Sequence, residues 1–162
     1  MKSITRASRL GLLVLSGIVL LLDQLTKLAA REHLELYQAK EVGQFWNWTL
    51  AYNEGAAFSF LANQGGWQKI VFGLIALIVS IGLIYYILAK SYAWVAGIAF
   101  SLILGGALGN LFDRIIAGKV TDFIDWHVGV HHWPAFNLAD SAISIGVTLL
   151  IIESLFFSKN HG

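Results

Sequence analysis

Phe136-Asn-Leu-Ala-Asp140, running on through Ser141-Ala-Ile-Ser-Ile-Gly-Val-Thr-Leu-Leu-Ile-Ile-Glu-Ser-Leu-Phe-Phe157, is the stretch that decides how the rest of the chain is read. From Leu138 to Phe157 it has the length and composition of a membrane span, for which about 20 residues suffice. Asp140 interrupts it near one end and Glu153 near the other. A carboxylate at such a place is costly unless it is paired or protonated, so it is a functional candidate by default. A second one, Asp122 in Val120-Thr-Asp-Phe123, arrives eighteen residues earlier, just ahead of the same segment. Two acids at one membrane boundary make a two-aspartate acid–base site the leading idea.

The composition agrees with a membrane protein. The chain has 162 residues, 57% of them apolar and 13% charged, where a soluble domain carries about 25% charged residues. The deficit falls in blocks: Ile70 to Ala89 and Tyr92 to Phe112 hold no charged residue. Leu10 to Leu22 is shorter and reaches spanning length only if Asp23, Gln24, Thr26 and Lys27 continue the helix. The expected fold is therefore a membrane all-α, four-transmembrane-helix bundle in one domain covering 1–162. Its helices are expected at about 10–29, 69–89, 92–113 and 137–157, with outer loops at about 30–66 and 114–136. The net charge of +1 points to no nucleic-acid partner, and the absence of cysteine removes disulfides, thiolate metal sites and a cysteine nucleophile. Lys2, Arg6 and Arg9 ahead of an apolar run resemble a signal peptide. However, no small-x-small cleavage site follows, and a retained first helix is expected.

Those three basic residues argue for a cytoplasmic N-terminus, and four spans return the C-terminus with Lys159 to the same side. Arg31, Lys40, Lys69, Arg114 and Lys119 fall on the other side or its interface, so orientation leans on the N-terminal cluster. Phe45-Trp-Asn-Trp-Thr-Leu-Ala-Tyr52 is aromatic and partly alternating, which suits one or two short strands; Asn53-Glu-Gly55 then has turn chemistry, ahead of Ala56-Ala-Phe-Ser-Phe60. The tryptophans cluster near span ends, where interfacial anchoring accounts for most of them. Gly97, Ser101, Gly105 and Gly109 recur every four residues in the third span, a face on which another helix can approach closely.

Few polar residues gather near the outer face. Asp23 and Lys27 are four apart and either form a local ion pair or serve the site. Asp113 and Arg114 either end the third helix or, for the arginine, clamp a carboxylate or carbonyl. Asn137-x-x-Asp140 also has the spacing of an N-cap with an acidic N3 residue, behind Pro134, and capping alone would account for Asp140. Convergence is the argument for function: two carboxylates brought close do not both ionise easily, so the pair shares a proton near neutral pH. One then activates a water while the other polarises a carbonyl oxygen, which is peptide hydrolysis without metal or nucleophilic side chain.

These residues carry a resemblance. Leu22-Asp-Gln-Leu-Thr-Lys27, Asn53-Glu-Gly-Ala-Ala-Phe58, Gly105-Gly-Ala-Leu-Gly-Asn-Leu-Phe-Asp-Arg114, Val120-Thr-Asp-Phe123 and Phe136-Asn-Leu-Ala-Asp140, in this order over nearly the whole chain, resemble the lipoprotein signal peptidases (signal peptidase II), bacterial intramembrane aspartic proteases. The resemblance implies a diacylglyceryl-modified prolipoprotein as substrate, cut on the N-terminal side of the lipidated cysteine to release the signal peptide. It implies Asp122 and Asp140 as the catalytic pair, and Asn53, Gly55, Asn110, Arg114 and Asn137 as residues that shape the site or hold substrate. Asp23 and Lys27 would support it, and Glu35 to Leu61 would form a small strand-containing extracytoplasmic platform. It further implies no cofactor and no metal, membrane lipid as a partner, a monomer, and the bacterial cytoplasmic (inner) membrane with both termini cytoplasmic and the active site toward the outer face. Asp125 adds an acid three residues after Asp122, but Asp122 holds the Val-Thr-Asp-Phe context. His127, His131 and His132 fill the next loop, where adventitious metal binding with Asp125 competes with ordinary solvation. The rival readings are a small proton-coupled membrane carrier with the aspartates as a relay, and a structural subunit whose acids pair with Arg114 and Lys27.

Overall fold

The computed structural model describes residues 5–55 and 67–156. Four helices long and apolar enough to cross a membrane are present among these residues: α1 (Arg6–His33), α2 (Trp67–Ala89), α3 (Trp94–Ala117) and α4 (Leu138–Phe156). The first is longer than its apolar run alone requires, because Asp23 and Lys27 are buried inside the bundle and the helix continues through them. Thr5 caps its start by accepting from the Ser8 backbone N–H at 3.2 Å. The third ends at Gly118, whose φ of 71° lets its N–H reach the Arg114 carbonyl at 3.0 Å, a left-handed cap that glycine adopts without steric cost. Lys2, the segment Ala56–Phe60, Phe157 and Lys159, which entered the expectations above, lie outside the described residues.

Helix α3 is the centre of the bundle. Of its most apolar stretch 61% is buried, against 28%, 11% and 17% for α1, α2 and α4. The small-residue face explains how. A Cβ on Gly105 would lie 2.7 Å from the Ser16 carbonyl oxygen of α1, and Gly106 sits against the Ala139 backbone of α4. Further along, Gly146 of α4 returns the contact against the Ala99 carbonyl. Close backbone approach supplies the dispersion contacts that hold helices together in lipid, where the hydrophobic effect does not. At the end of the bundle away from these acids, the Arg9 guanidinium and the Tyr92 hydroxyl both donate to the Ile87 carbonyl at 2.8 Å, satisfying an orphan acceptor of the last turn of α2.

The remaining strands form one antiparallel sheet in the order β1 (Lys40–Gly43), β2 (Trp46–Asn53), β3 (Val120–Val128) and β4 (His131–His132). Two strands were expected at most, in the first loop; the second loop contributes β3, the longest, and β4. In Val120-Thr-Asp-Phe-Ile-Asp-Trp-His-Val128 the β-branched and aromatic content carries the strand, but the acids obscure its alternation. β3 pairs with β2 from Trp46↔Trp126 to Asn53↔Val120, with a register shift between Trp48 and Ala51 that opposes Ala51 to Asp122. An isolated bridge, Ile124↔Phe136, ties the chain entering α4 to the same strand.

The glycine contacts make a direct prediction. Gly105→Val is expected to lower stability by about 1–3 kcal/mol through overpacking against Ser16 and Val19. Gly82→Ala, where nothing lies within 4 Å of an added Cβ, should be neutral or slightly stabilising. Thermal unfolding of the detergent-solubilised variants measures both.

Candidate active site

The candidate residues are delivered by several elements to one end of the bundle. Strand β3 carries Asp122, the first turn of α4 carries Asp140, and Asn137 immediately precedes that helix. Asn137 and Asp140 form a reciprocal capping box: the Asn137 Oδ1 accepts from the Asp140 N–H at 2.9 Å, and Asp140 Oδ2 accepts from the Asn137 N–H at 3.2 Å. Capping and convergence, alternatives from sequence, hold together. The box leaves the Asn137 amide free to donate to Asp122 Oδ1 at 2.7 Å, while Asn110 of α3 donates to Asp140 Oδ1 at 2.8 Å. Asn137 Nδ2 also reaches Asn110 Oδ1 at 3.1 Å, so the two aspartates are joined through two asparagines.

Asn53, at the end of β2, hydrogen-bonds Asp122 through its side chain and turns its Oδ1 back to accept from the Gly55 N–H at 3.0 Å. Arg114 reaches the Gly55 carbonyl and its own Asn110 carbonyl, each at 3.3 Å, and lies within electrostatic range of both Asp140 and Asp122. Burial pushes Asp122 up to about 7, and the neighbouring Asp140 carboxylate pushes in the same direction, against the hydrogen bonds from Asn137 and Asn53. At that value Asp122 holds a proton through much of the range in which an ordinary carboxylate is ionised.

Behind this layer lies a buried ion cluster. Lys27 is fully buried and pairs with Asp23 at 2.8 Å and with Asp113 at 3.1 Å, and donates to Asn110 Oδ1 at 2.9 Å. Asp23 accepts from the Ala139 N–H of α4 at 3.0 Å, and Asp113 from the Thr121 N–H of β3 at 3.0 Å. The local ion pair is present, and it is bonded to the elements that carry Asp122 and Asp140. Sequence reading treated Asp113 as a helix-ending residue; α3 in fact continues to Ala117, and Asp113 is a buried counter-ion that anchors the residue before Asp122. Its signal was the spacing of Asn110, Asp113 and Arg114, neighbours on one helical face. Gln24, which donates to Asp23, Gly109 and Asp113, and Arg31, which donates to Thr121 Oγ1 at 2.9 Å, entered the sequence reading only for helix length and orientation.

Asp140 opens on a cavity of about 1340 Å³ between the sheet and the flank of α4, and Asp122 lies buried behind it. Asn53, Asn110, Arg114 and Asp140 are polar groups in its lining, and Trp126, Phe136 and Ile143 are among the apolar side chains that extend it. Asp125 takes no part: its carboxylate is held by Asn47 and His132.

A test of the buried cluster follows. Lys27→Met removes the charge that offsets two buried carboxylates and should cost about 3–5 kcal/mol, whereas Lys27→Met with Asp23→Asn and Asp113→Asn should recover most of it. Comparison of unfolding midpoints for the single and triple variants decides whether the cluster is held by charge balance.

Known proteins match this chain over most of its length. The family model for signal peptidase (SPase) II matches residues 15–156. A lipoprotein signal peptidase of Pseudomonas fluorescens is 49% identical over 162 residues, covering 98% of this chain and 94% of that one. One from Francisella tularensis subsp. novicida is 47% identical over 153 residues, covering 93% and 95%. Among solved structures, a bacterial membrane enzyme determined by the in meso method at 2.3 Å superposes with a TM-score of 0.84 at 32% identity, covering 99% of this chain and 95% of that one. With the family model running from within α1 through the sheet to the end of α4, the chain belongs to the signal peptidase II family.

Proposed function

We propose that this protein is an intramembrane aspartic endopeptidase that removes the signal peptide from lipoprotein precursors, with Asp122 and Asp140 as the catalytic pair. The observation that carries the reading is the pair itself: two carboxylates bridged through Asn137 and Asn110, with Asp140 in the wall of a largely apolar cavity. One ionised carboxylate takes a proton from a water whose oxygen attacks the scissile carbonyl carbon. The other, protonated, donates to the carbonyl oxygen as it gains charge. Collapse of the tetrahedral diol breaks the C–N bond, and a carboxyl proton passes to the leaving amine. Asn53, Gly55 and Arg114 hold the substrate backbone, while Asn110 and Asn137 aim the carboxylates and Asp23 and Lys27 support them. Family membership gives no support to a carrier.

The apolar flank of the cavity suits a substrate that enters sideways from the bilayer, and this favours a diacylglyceryl-modified precursor cut on the N-terminal side of the lipidated cysteine. In this reading the chain is a single, monomeric, four-span domain of the bacterial inner membrane. Both termini are cytoplasmic, and the sheet and the acid pair lie at the outer face, an orientation supported by Arg6 and Arg9 at the opposite end.

The deciding experiment is a gel-shift assay on a diacylglyceryl-modified prolipoprotein beside its unlipidated form. Only the lipidated form should be cut, and Asp122→Asn or Asp140→Asn should abolish cleavage while leaving the protein in the membrane. Full activity in either variant would end the two-aspartate reading. A shared proton also sets the pH profile: with Asp122 raised to about 7, cleavage should fall as pH rises beyond that value and the pair loses its acid. EDTA should leave the rate unchanged; strong inhibition would call for a metal mechanism.

A further inference from the structure

Asp125 and the histidines after it have no part in the mechanism above, yet their arrangement is specific. Asp125 is 7% exposed on β3 and accepts from Asn47 Nδ2 of β2 at 3.0 Å. From β4, His132 Nδ1 lies 2.8 Å and 3.0 Å from its two oxygens. An ionised carboxylate only accepts, so Nδ1 carries the hydrogen whether the ring is neutral or protonated. His127 stacks on His132 with centroids 5.1 Å apart and 23° between planes, which fixes the ring's orientation. Nearly parallel rings do not converge their in-plane lone pairs on one ion. The arrangement is that of a fastening, and a metal site is not what it resembles.

What is fastened leads to the acid pair. From His132 the chain runs along β3 as a strap: the Trp133 N–H donates to the Trp126 carbonyl at 2.7 Å and the Phe136 N–H to the Ile124 carbonyl at 3.0 Å. The Phe136 carbonyl in turn accepts from Phe123 and Ile124 at 3.0 and 2.9 Å. Its far end is Asn137, bonded to Asp122 and capping the helix that carries Asp140. Residues 132–135 line both the active-site cavity and a second opening of about 560 Å³ that Tyr37, Thr49 and Asp125 also line, so the strap has open space on both sides. A segment so placed takes its position from its two ends and from these backbone bonds to β3.

We infer that His132, held by Asp125, is a positioning residue for the peptidase reaction: it anchors the strap whose other end aligns Asn137 and Asp140 with Asp122. This rests on the two-aspartate reading. Displacement of reacting groups by about 1 Å can cost about a hundredfold in rate.

The test uses the full-length enzyme in detergent with a diacylglyceryl-modified prolipoprotein, measuring kcat, KM and the unfolding midpoint for His132→Ala, His132→Asn and His132→Gln. An asparagine amide takes the place of Nδ1, whereas a glutamine amide takes that of Nε2. The alanine and glutamine variants should lose about tenfold or more in kcat with KM little changed, and asparagine should restore most of it. Undiminished kcat in the alanine variant would overturn the inference, as would equal kcat in the asparagine and glutamine variants or a loss confined to KM. A kcat loss that simply tracks the unfolding midpoint would overturn it too. If alanine does not fold, the asparagine–glutamine contrast decides alone. Asp140→Asn run in parallel keeps the two readings apart, because activity there sinks the acid pair whatever His132 does.

Discussion

A single buried ammonium organises this molecule. Lys27 has no contact with solvent, and removing its charge from water is costly unless every hydrogen finds a partner. Asp23, Asp113 and Asn110 supply those partners, and the three acceptors make the lysine a junction of α1 and α3. The two carboxylates extend it, Asp23 to the start of α4 and Asp113 to the start of β3. The elements that deliver Asp140 and Asp122 are thereby referred to one point. A fully satisfied polar network of this kind is rigid because any displacement leaves a buried group unpaired.

Rigidity behind the pair permits asymmetry within it. Asp140 sits in the first turn of a helix, where the backbone dipole favours negative charge, and lies within electrostatic range of Arg114. Asp122 sits on a strand that offers no such dipole, buried and facing a like charge. Two chemically identical groups are therefore placed in unlike surroundings.

The helices were legible because membrane spans announce themselves by composition, and the polar residues stood out against them. Every residue tied to the site by sequence, from Asp23 to Asp140, is found at one end of the bundle. The sheet was less legible. β3 pairs with a strand more than sixty residues earlier, and its acids at positions 122 and 125 hide the alternation that would mark it. Asp113 was read locally, as a residue near a helix end, because its partner Lys27 lies on another helix. The histidines were read as loop surface, yet His132 acquires its meaning only when β4 folds back beside Asp125. Local chemistry was visible where the partner was near in sequence or the residue type was rare for its setting. Where the partner was distant, it was not.

The backbone contact of Gly106 with Ala139 has a bearing on traffic. Two helices touching through main-chain atoms leave no seam between them, and Gly146 against Ala99 closes the same side farther down. Whatever approaches Asp140 is barred from the line of contact between α3 and α4 and is left with the side on which the cavity opens, over Ser144 and Ile145. The missing side chains along the contact of α3 with α4 thus determine, by exclusion, the direction from which the rest of α4 is used.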